Sequence, residues 1–302
     1  MKTKTLNLPP LSATLGAALF AASLAIAAPV YAQKAFPTPE AAAEALIDGI
    51  ARHDPDAVNT VLGADYKRYI PMDDTSAEDR TNFLAAWARN HRVVTTGDKA
   101  MVEVGTHGWT MPIPLVKTGA GWSFDTRAAS EEMRIRRIGR NELAAIQVVL
   151  AYVDAQREFA ARDWDGDGAK SYARKALSSP GKRDGLYWAS LPDEPESPLG
   201  PAFADARPGQ PYHGYAFRIL TAQGPAAAGG AKSFVKNDRM TEGFGLIAWP
   251  EKYDYTGVMT FIVNQDGVVY EKDLGPNTAT AAAAIKSFNP DASWQRATLP
   301  KR

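Results

Sequence analysis

Apolar residues recur every three or four positions early in the chain, which is the pattern of helices with one buried face. Residues 37–62 predict two helices. Thr38 can cap the first, Pro39 suits its first position, and Asp54 begins the second. Residues 76–90 predict a third helix, so this part of the chain is expected to open as a small helical layer.

The period then changes to two, which favours β-strands. Residues 101–104 predict one strand, and residues 113–117 and 122–125 predict a hairpin. Helices followed by an antiparallel sheet predict an α+β domain over residues 36–127. Its order of elements resembles that of the cystatin-like and nuclear-transport-factor-2-like domains.

From Ser130 the pattern is helical again and predicts one long helix, which ends near Arg162 where aspartate and glycine residues follow. Its apolar stripe is expected to pack in a core. The stripe consists of Ile135, Ile138, Leu143, Ile146, Val149, Leu150 and Val153. A short helix is predicted around residues 172–177, and a proline-rich irregular loop over residues 192–211.

The last third of the chain is strand-like, and Asp266 with Gly267 is a strong signal for a hairpin turn. The predicted strands are residues 215–221, 244–249, 257–264 and 268–272. A long helix followed by an antiparallel meander predicts a second α+β domain over residues 130–290, with a tail at residues 291–302. This order resembles the headgroup of type IV pilins and pseudopilins. The hydrophobic half of a pilin helix is missing, which argues against filament assembly.

Residues 1–32 have the features of a cleavable secretory signal peptide. Lys2 and Lys4 precede an apolar run at residues 15–28, and a small-x-small pattern ends at Ala32. An uncleaved membrane anchor is the alternative, but the run is shorter than an ordinary transmembrane helix. We therefore expect cleavage near Ala32 and a periplasmic or secreted mature protein without a transmembrane segment.

The composition excludes several classes of function. Without the leader the chain has 270 residues, with 32 basic residues against 34 acidic ones, so we expect two domains and no electrostatic surface for nucleic acid. Cysteine is absent, which excludes disulfides, thiol catalysis and cysteine-bound zinc. The Gly-x-Ser-x-Gly, His-Glu-x-x-His and Gly-x-Gly-x-x-Gly motifs of common enzymes are also absent, so a non-catalytic protein is favoured.

The most specific candidate site is an acidic loop after the long helix. Its aspartates and Gly168 occupy the positions that they have in the first half of an EF-hand calcium loop, where the glycine permits the required turn. Its candidate calcium ligands are Asp163, Asp165, Asp167, Ala169 and Ser171. Arg174 stands where such a loop has a bidentate glutamate. The loop is therefore either a weak calcium site, which an extracytoplasmic location would help to fill, or an acidic loop without metal.

A second candidate set combines basic side chains with aromatic faces, which suit glycans and carboxylates. These candidate ligand-binding residues are Lys182, Arg183, Tyr187, Trp188 and His213. The favoured alternative for the first four is that they hold a long loop against the domain. His213 could act as a general base only with a nucleophile or a second titrating group nearby.

Four longer motifs carry a family resemblance, at residues 137–142, 151–156, 180–188 and 258–267. Through them the chain resembles the bacterial family catalogued as domain of unknown function 2950, over nearly the whole mature chain. The resemblance implies an exported envelope protein. It brings no established activity, ligand or catalytic residue.

These observations favour an exported, non-catalytic module that binds an envelope protein or polymer, with calcium as a candidate stabiliser. One alternative is a hydrolase whose carboxylates gather around the Asp163 loop and His213. Another is a pilin-like subunit associated with secretion.

Overall fold

The structure is a computed structural model that describes residues 33–70, 76–164, 166, 168, 170–190, 193–200 and 210–299. The fold is α+β, as predicted, with five α-helices and antiparallel sheets in the described part of the chain. The predicted leader, residues 1–32, lies outside the described residues. None of the described helices combines the length and the apolar composition that crossing a membrane requires.

Three short helices open the fold, as the sequence predicts. They are α1 (Pro39–Ala51), α2 (Pro55–Leu62) and α3 (Ala77–Arg89). Local chemistry starts each of them, because the side chains of Thr38, Asp54 and Ser76 accept hydrogen bonds from the first free backbone N–H groups. Ser76 and Asp79 form a complete capping box.

An antiparallel sheet follows, and it includes the predicted hairpin. Its strands are β1 (His91–Thr96), β2 (Lys99–Val104), β3 (Trp109–Thr110), β4 (Leu115–Thr118) and β5 (Gly121–Phe124). The strand order is β1-β2-β4-β5, with β3 also paired to β2. The sequence prediction missed β1, whose side chains are mostly exposed and show no alternation of buried and exposed positions.

One long helix, α4 (Thr126–Ala160), runs through both halves of the structure. It begins four residues before the predicted Ser130, because Asp125 caps it by accepting the Ala128 N–H at 2.9 Å. Ala129 near its start belongs to the core of the first half, whereas Ile146 belongs to the core of the second half.

The prediction that the whole apolar stripe of α4 is buried is wrong at two positions. Ile135 is 52% exposed and Leu143 is 49% exposed. The helix packs on the first core up to Met133 and joins the second core from Ala145, so the residues between these points face neither core fully.

The segment after α4 is irregular, and the short helix predicted around residues 172–177 is not formed. Tyr172 pairs instead with Met240, and the backbone of Ser178 donates a hydrogen bond to the carbonyl of Tyr187 at 2.8 Å. Backbone groups that bond to distant partners are not available for a helical turn. Residues 193–200 of the predicted loop are also irregular, whereas residues 191–192 and 201–209 lie outside the described residues.

The second half carries a five-stranded antiparallel sheet that contains the four predicted strands. In chain order, the elements of this half are β6 (Tyr215–Leu220), β7 (Ala222–Gln223), β8 (Lys232–Ser233), β9 (Val235–Lys236), β10 (Arg239–Met240), β11 (Gly245–Pro250), β12 (Met259–Asn264), β13 (Tyr270–Asp273), α5 (Thr278–Ala284) and β14 (Gln295–Arg296). Four short strands, β7 to β10, and one helix, α5, lie outside the five-stranded sheet. The order in the large sheet is β14-β13-β12-β11-β6. Because β14 pairs with β13, part of the predicted tail belongs to this sheet.

The large sheet is covered on both faces. Leu246 and Phe261 pack with α4 in one buried cluster, while Ile247 and Ile262 pack with Ala282 of α5 in another. Successive residues of β11 and β12 therefore face opposite layers, as strand geometry requires.

The contact of Gly257 with Tyr215 gives a test of this packing. Tyr215 is fully buried and its hydroxyl donates to the carbonyl of Met259 at 2.9 Å. A Cβ atom on Gly257 would overlap the Tyr215 ring and hydroxyl, whereas a Cβ on Gly139 in α4 would meet nothing within 4 Å.

We expect Gly257→Ala to lower the free energy of unfolding by about 1–3 kcal/mol. Gly139→Ala is the matched control and should raise it by up to about 1 kcal/mol, because alanine favours helix. Urea denaturation measures both. Equal stability of Gly257→Ala and the wild type would contradict the close packing against Tyr215.

Candidate functional site

The predicted calcium loop is only partly described. Asp165, Asp167 and Ala169 lie outside the described residues. The Asp163 carboxylate accepts the backbone N–H of Gly168 at 3.0 Å, a bond that spans the first six residues of the loop. No group of three or more His, Cys, Asp or Glu side chains forms a metal-binding cluster among the described residues. Calcium binding therefore stays a prediction.

The twelfth position of this loop has a partner elsewhere. The Arg174 guanidinium forms an ion pair with the Asp238 carboxylate at 2.6 Å and also donates to the Asp238 carbonyl at 3.0 Å. It is thus fixed at the turn between β9 and β10. The protein ligand that an EF-hand has at this position would have to come from another residue.

The predicted ligand-binding residues around Trp188 hold the following loop in place. Arg183 forms an ion pair with Glu194 at 3.2 Å, and its guanidinium lies 5.7 Å from the centre of the Trp188 ring. The Trp188 indole N–H donates to the carbonyl of Pro195 at 3.2 Å. Tyr187 bonds through its backbone to residues 176 and 178, and Lys182 is exposed in the adjacent turn.

His213 lies far from the acidic loop. It occupies a tight turn with φ of 50°, its ring lies edge-on to Tyr212, and the next residue, Gly214, packs against the Asn141 side chain. Asp163 follows the end of α4 at Ala160. The helix rises about 29 Å between Asn141 and Ala160 at 1.5 Å per residue. His213 and Asp163 therefore do not share a reacting centre.

A polar junction joins the middle of α4 to residues 254–259. The Glu142 carboxylate accepts the N–H groups of Val258 and Met259 at 2.8 and 3.0 Å. The Asn141 side chain donates to the Thr256 carbonyl at 2.9 Å. This junction fixes the large sheet on the helix.

Two arginines extend the junction toward the start of α4. Arg137 donates to the Tyr255 carbonyl at 3.0 Å, and its guanidinium lies 3.8 Å from the centre of the Tyr255 ring. Arg134 forms an ion pair with Asp254. Residues 137–142 form one of the family motifs, so the only sequence signal for this junction was that resemblance.

The charge of Glu142 also acts on a second carboxylate, that of Glu271. Burial, and then the charge of Glu142, raise the pKa of Glu271 on β13. Burial also raises the pKa of the Tyr215 hydroxyl, with smaller contributions from both carboxylates. One oxygen of Glu142 already accepts two backbone N–H groups.

A groove of about 320 Å³ lies between α3 and the end of the β2–β3 hairpin. Its lining is mostly apolar and contains no acidic residue; the lining residues are Phe83, Ala86, Arg89, Val104, Gly105, Thr106, His107 and Trp109. Trp109 is 47% exposed, and its ring meets the Phe83 ring edge-on with centroids 6.1 Å apart.

Arg89 stands at the rim of this groove without a polar partner. It is the last residue of α3 and is exposed. It forms no hydrogen bond or ion pair within the described part of the chain. Sequence reasoning missed the groove, because Phe83 and Trp109 belong to separate elements and carry no shared motif.

Comparison with known proteins identifies the family. A family model described as "Protein of unknown function (DUF2950)" matches residues 33–297. The chain belongs to this family, which confirms the resemblance that the four motifs indicated. No curated protein and no solved structure matches the chain. The pilin-like and nuclear-transport-factor-2-like resemblances therefore stay predictions.

The raised pKa of Glu271 predicts a pH-dependent effect of Glu271→Gln. The folded protein binds this proton more tightly than the unfolded chain, so the wild type loses stability as pH rises above about 4.3 toward the folded pKa. Glutamine cannot ionise. The stability of the variant relative to wild type should therefore increase across this window.

Denaturant unfolding at a series of pH values measures this difference. Glu251→Gln is the control, because it removes one negative charge from an exposed position. A Glu271→Gln difference that stays constant with pH, or that falls as pH rises, would contradict a raised pKa of Glu271 in the folded protein.

The calcium prediction is tested by thermal melting of the purified protein with calcium and with a chelator. A free calcium concentration ten times the Kd of the site should stabilise the native state by about 1.4 kcal/mol and raise the Tm. Asp163→Asn should remove the calcium-dependent shift. An unchanged wild-type melt at millimolar calcium would eliminate the site.

Proposed function

We propose that this member of the DUF2950 family is an exported, non-catalytic binding protein whose ligand is a small amphipathic anion. The ligand would lie in the groove between α3 and the β2–β3 hairpin. The observation that carries the proposal is the unpartnered Arg89 at the rim of an apolar groove that contains no acidic residue.

The apolar part of the groove supports binding of an apolar body. Phe83 and Trp109 offer ring surface at its wall, and Trp109 remains 47% exposed to solvent. Covering apolar surface of this kind contributes about 25 cal/mol per Å². The volume of about 320 Å³ lies at the lower end of ligand pockets, which favours a small molecule.

The charge of the groove supports an anionic head. A guanidinium binds a carboxylate through two parallel hydrogen bonds, and Arg89 has no other partner that would compete within the described residues. The C-terminal end of a helix presents carbonyl oxygens and a negative dipole, so α3 itself offers the anion no donors. The Arg89 side chain should therefore provide most of the selectivity for an anion.

Export and absence of catalysis belong to the same proposal. The pattern of residues 1–32 supports a periplasmic or secreted location. The separation of Asp163 from His213 supports a non-catalytic protein over a hydrolase that uses both residues. Calcium at the Asp163 loop would stiffen the segment that follows α4. An envelope protein or polymer remains the proposed partner.

Decanoate and decanol provide a direct test, since they share an apolar chain and differ in the charge of the head. Isothermal titration should show decanoate binding to the wild type and weaker binding of decanol. Arg89→Gln should weaken decanoate binding by about 10-fold or more, the loss expected for a hydrogen bond to a charged group.

Arg80→Gln is the matched control, because it removes the same charge from the same helix outside the groove. It should leave the affinity for decanoate unchanged. Equal binding by Arg89→Gln and wild type, or equal affinity for decanoate and decanol, would overturn the proposal.

A further inference from the structure

One edge of the first sheet is open. All six residues of β1 pair in an unbroken register with β2. No other described strand pairs with β1. At the opposite edge of this sheet, Phe36 exchanges two backbone hydrogen bonds with Trp122 of β5 at 2.8 Å each.

The hairpin turn fixes which backbone groups of β1 face outward. Two residues, Gly97 and Asp98, join Thr96 to Lys99, so these two flanking residues form the hydrogen-bonded pair that closes the hairpin. Pairs then alternate along the strand. The N–H and C=O groups of Thr96, Val94 and Arg92 consequently bond to β2, and those of His91, Val93 and Thr95 point away from it.

This edge has few of the features that usually protect an edge strand. It contains no proline, lysine or bulge, and its β-branched residues favour strand pairing. Its one charged side chain, Arg92, is paired with Glu103 of β2 at 2.6 Å. Val94 is 39% exposed. Such a strand is a template for another strand.

The helix above this edge is also incompletely covered. None of the 13 residues of α3 is buried, whereas six residues of α1 are. Phe83, Ala86 and Trp87 pack on the core, but Leu84 does not belong to that set. Trp87 stacks on His91 of β1 with centroids 3.8 Å apart, so α3 lies beside the open edge.

We infer that two copies of this chain pair antiparallel through β1, with the two-fold axis at Val93 and the two α3 helices side by side. In this register Val93 faces Val93 of the second copy and His91 faces Thr95. Val94 faces Arg92. Every outward backbone group gains a partner, and no like charges are opposed, so the edge is complementary to itself. This pairing is independent of the proposed ligand.

The register predicts opposite effects of two charges at the same position. Val94→Lys places a second cation beside Arg92 of the other copy and should weaken dimerisation by about tenfold, because the contact occurs twice. Val94→Glu, the matched control, places an anion there and should leave dimerisation unchanged or strengthen it. Thr95→Pro removes an outward N–H and should leave the protein monomeric.

Sedimentation equilibrium over a wide concentration range measures these effects, with thermal melts to verify that each variant is folded. The wild type should form a concentration-dependent dimer. A wild type that is monomeric throughout would overturn the inference, even if the protein bound an extended segment of another protein. A dimer that Val94→Lys and folded Thr95→Pro leave intact would also overturn it, because its interface would lie elsewhere.

Discussion

One carboxylate attaches the middle of α4 to the large sheet. Glu142 accepts two consecutive backbone N–H groups at the start of β12, and Asn141 and Arg137 bond to the carbonyls just before them. Because the same helix contributes Ala129 to the first core, this attachment places both halves of the structure on one rigid element. Tyr215 is buried in the second core and lies close to residue 257.

Local signals were enough to predict most of the helices and strands. Caps at Thr38, Asp54 and Ser76 lie where the sequence predicts helix starts, because capping involves neighbours only a few residues away. The exposure of Ile135 and Leu143 could not be predicted in this way. It depends on where each core ends along α4, and periodicity within one helix carries no information about that.

The same limit applies to the candidate site. The sequence drew attention to the Asp163 loop and to Trp188, which have recognisable local compositions. The contacts of Trp188 with Arg183 and Pro195 are those of a loop held against the core. The groove at Arg89 has no local signature, since the β2–β3 hairpin brings Trp109 to α3 only in the folded chain. An arginine without a partner is recognised only when its surroundings are known.

The central claim is that Arg89 and the apolar wall beside it bind one amphipathic anion. A crystal structure of the protein grown with decanoate tests this most directly, because it shows where the head and the chain lie. We expect a carboxylate within hydrogen-bond distance of the Arg89 guanidinium and the acyl chain against Phe83 and Trp109. An empty groove at saturating decanoate, or a chain bound there with its carboxylate away from Arg89, would contradict the claim.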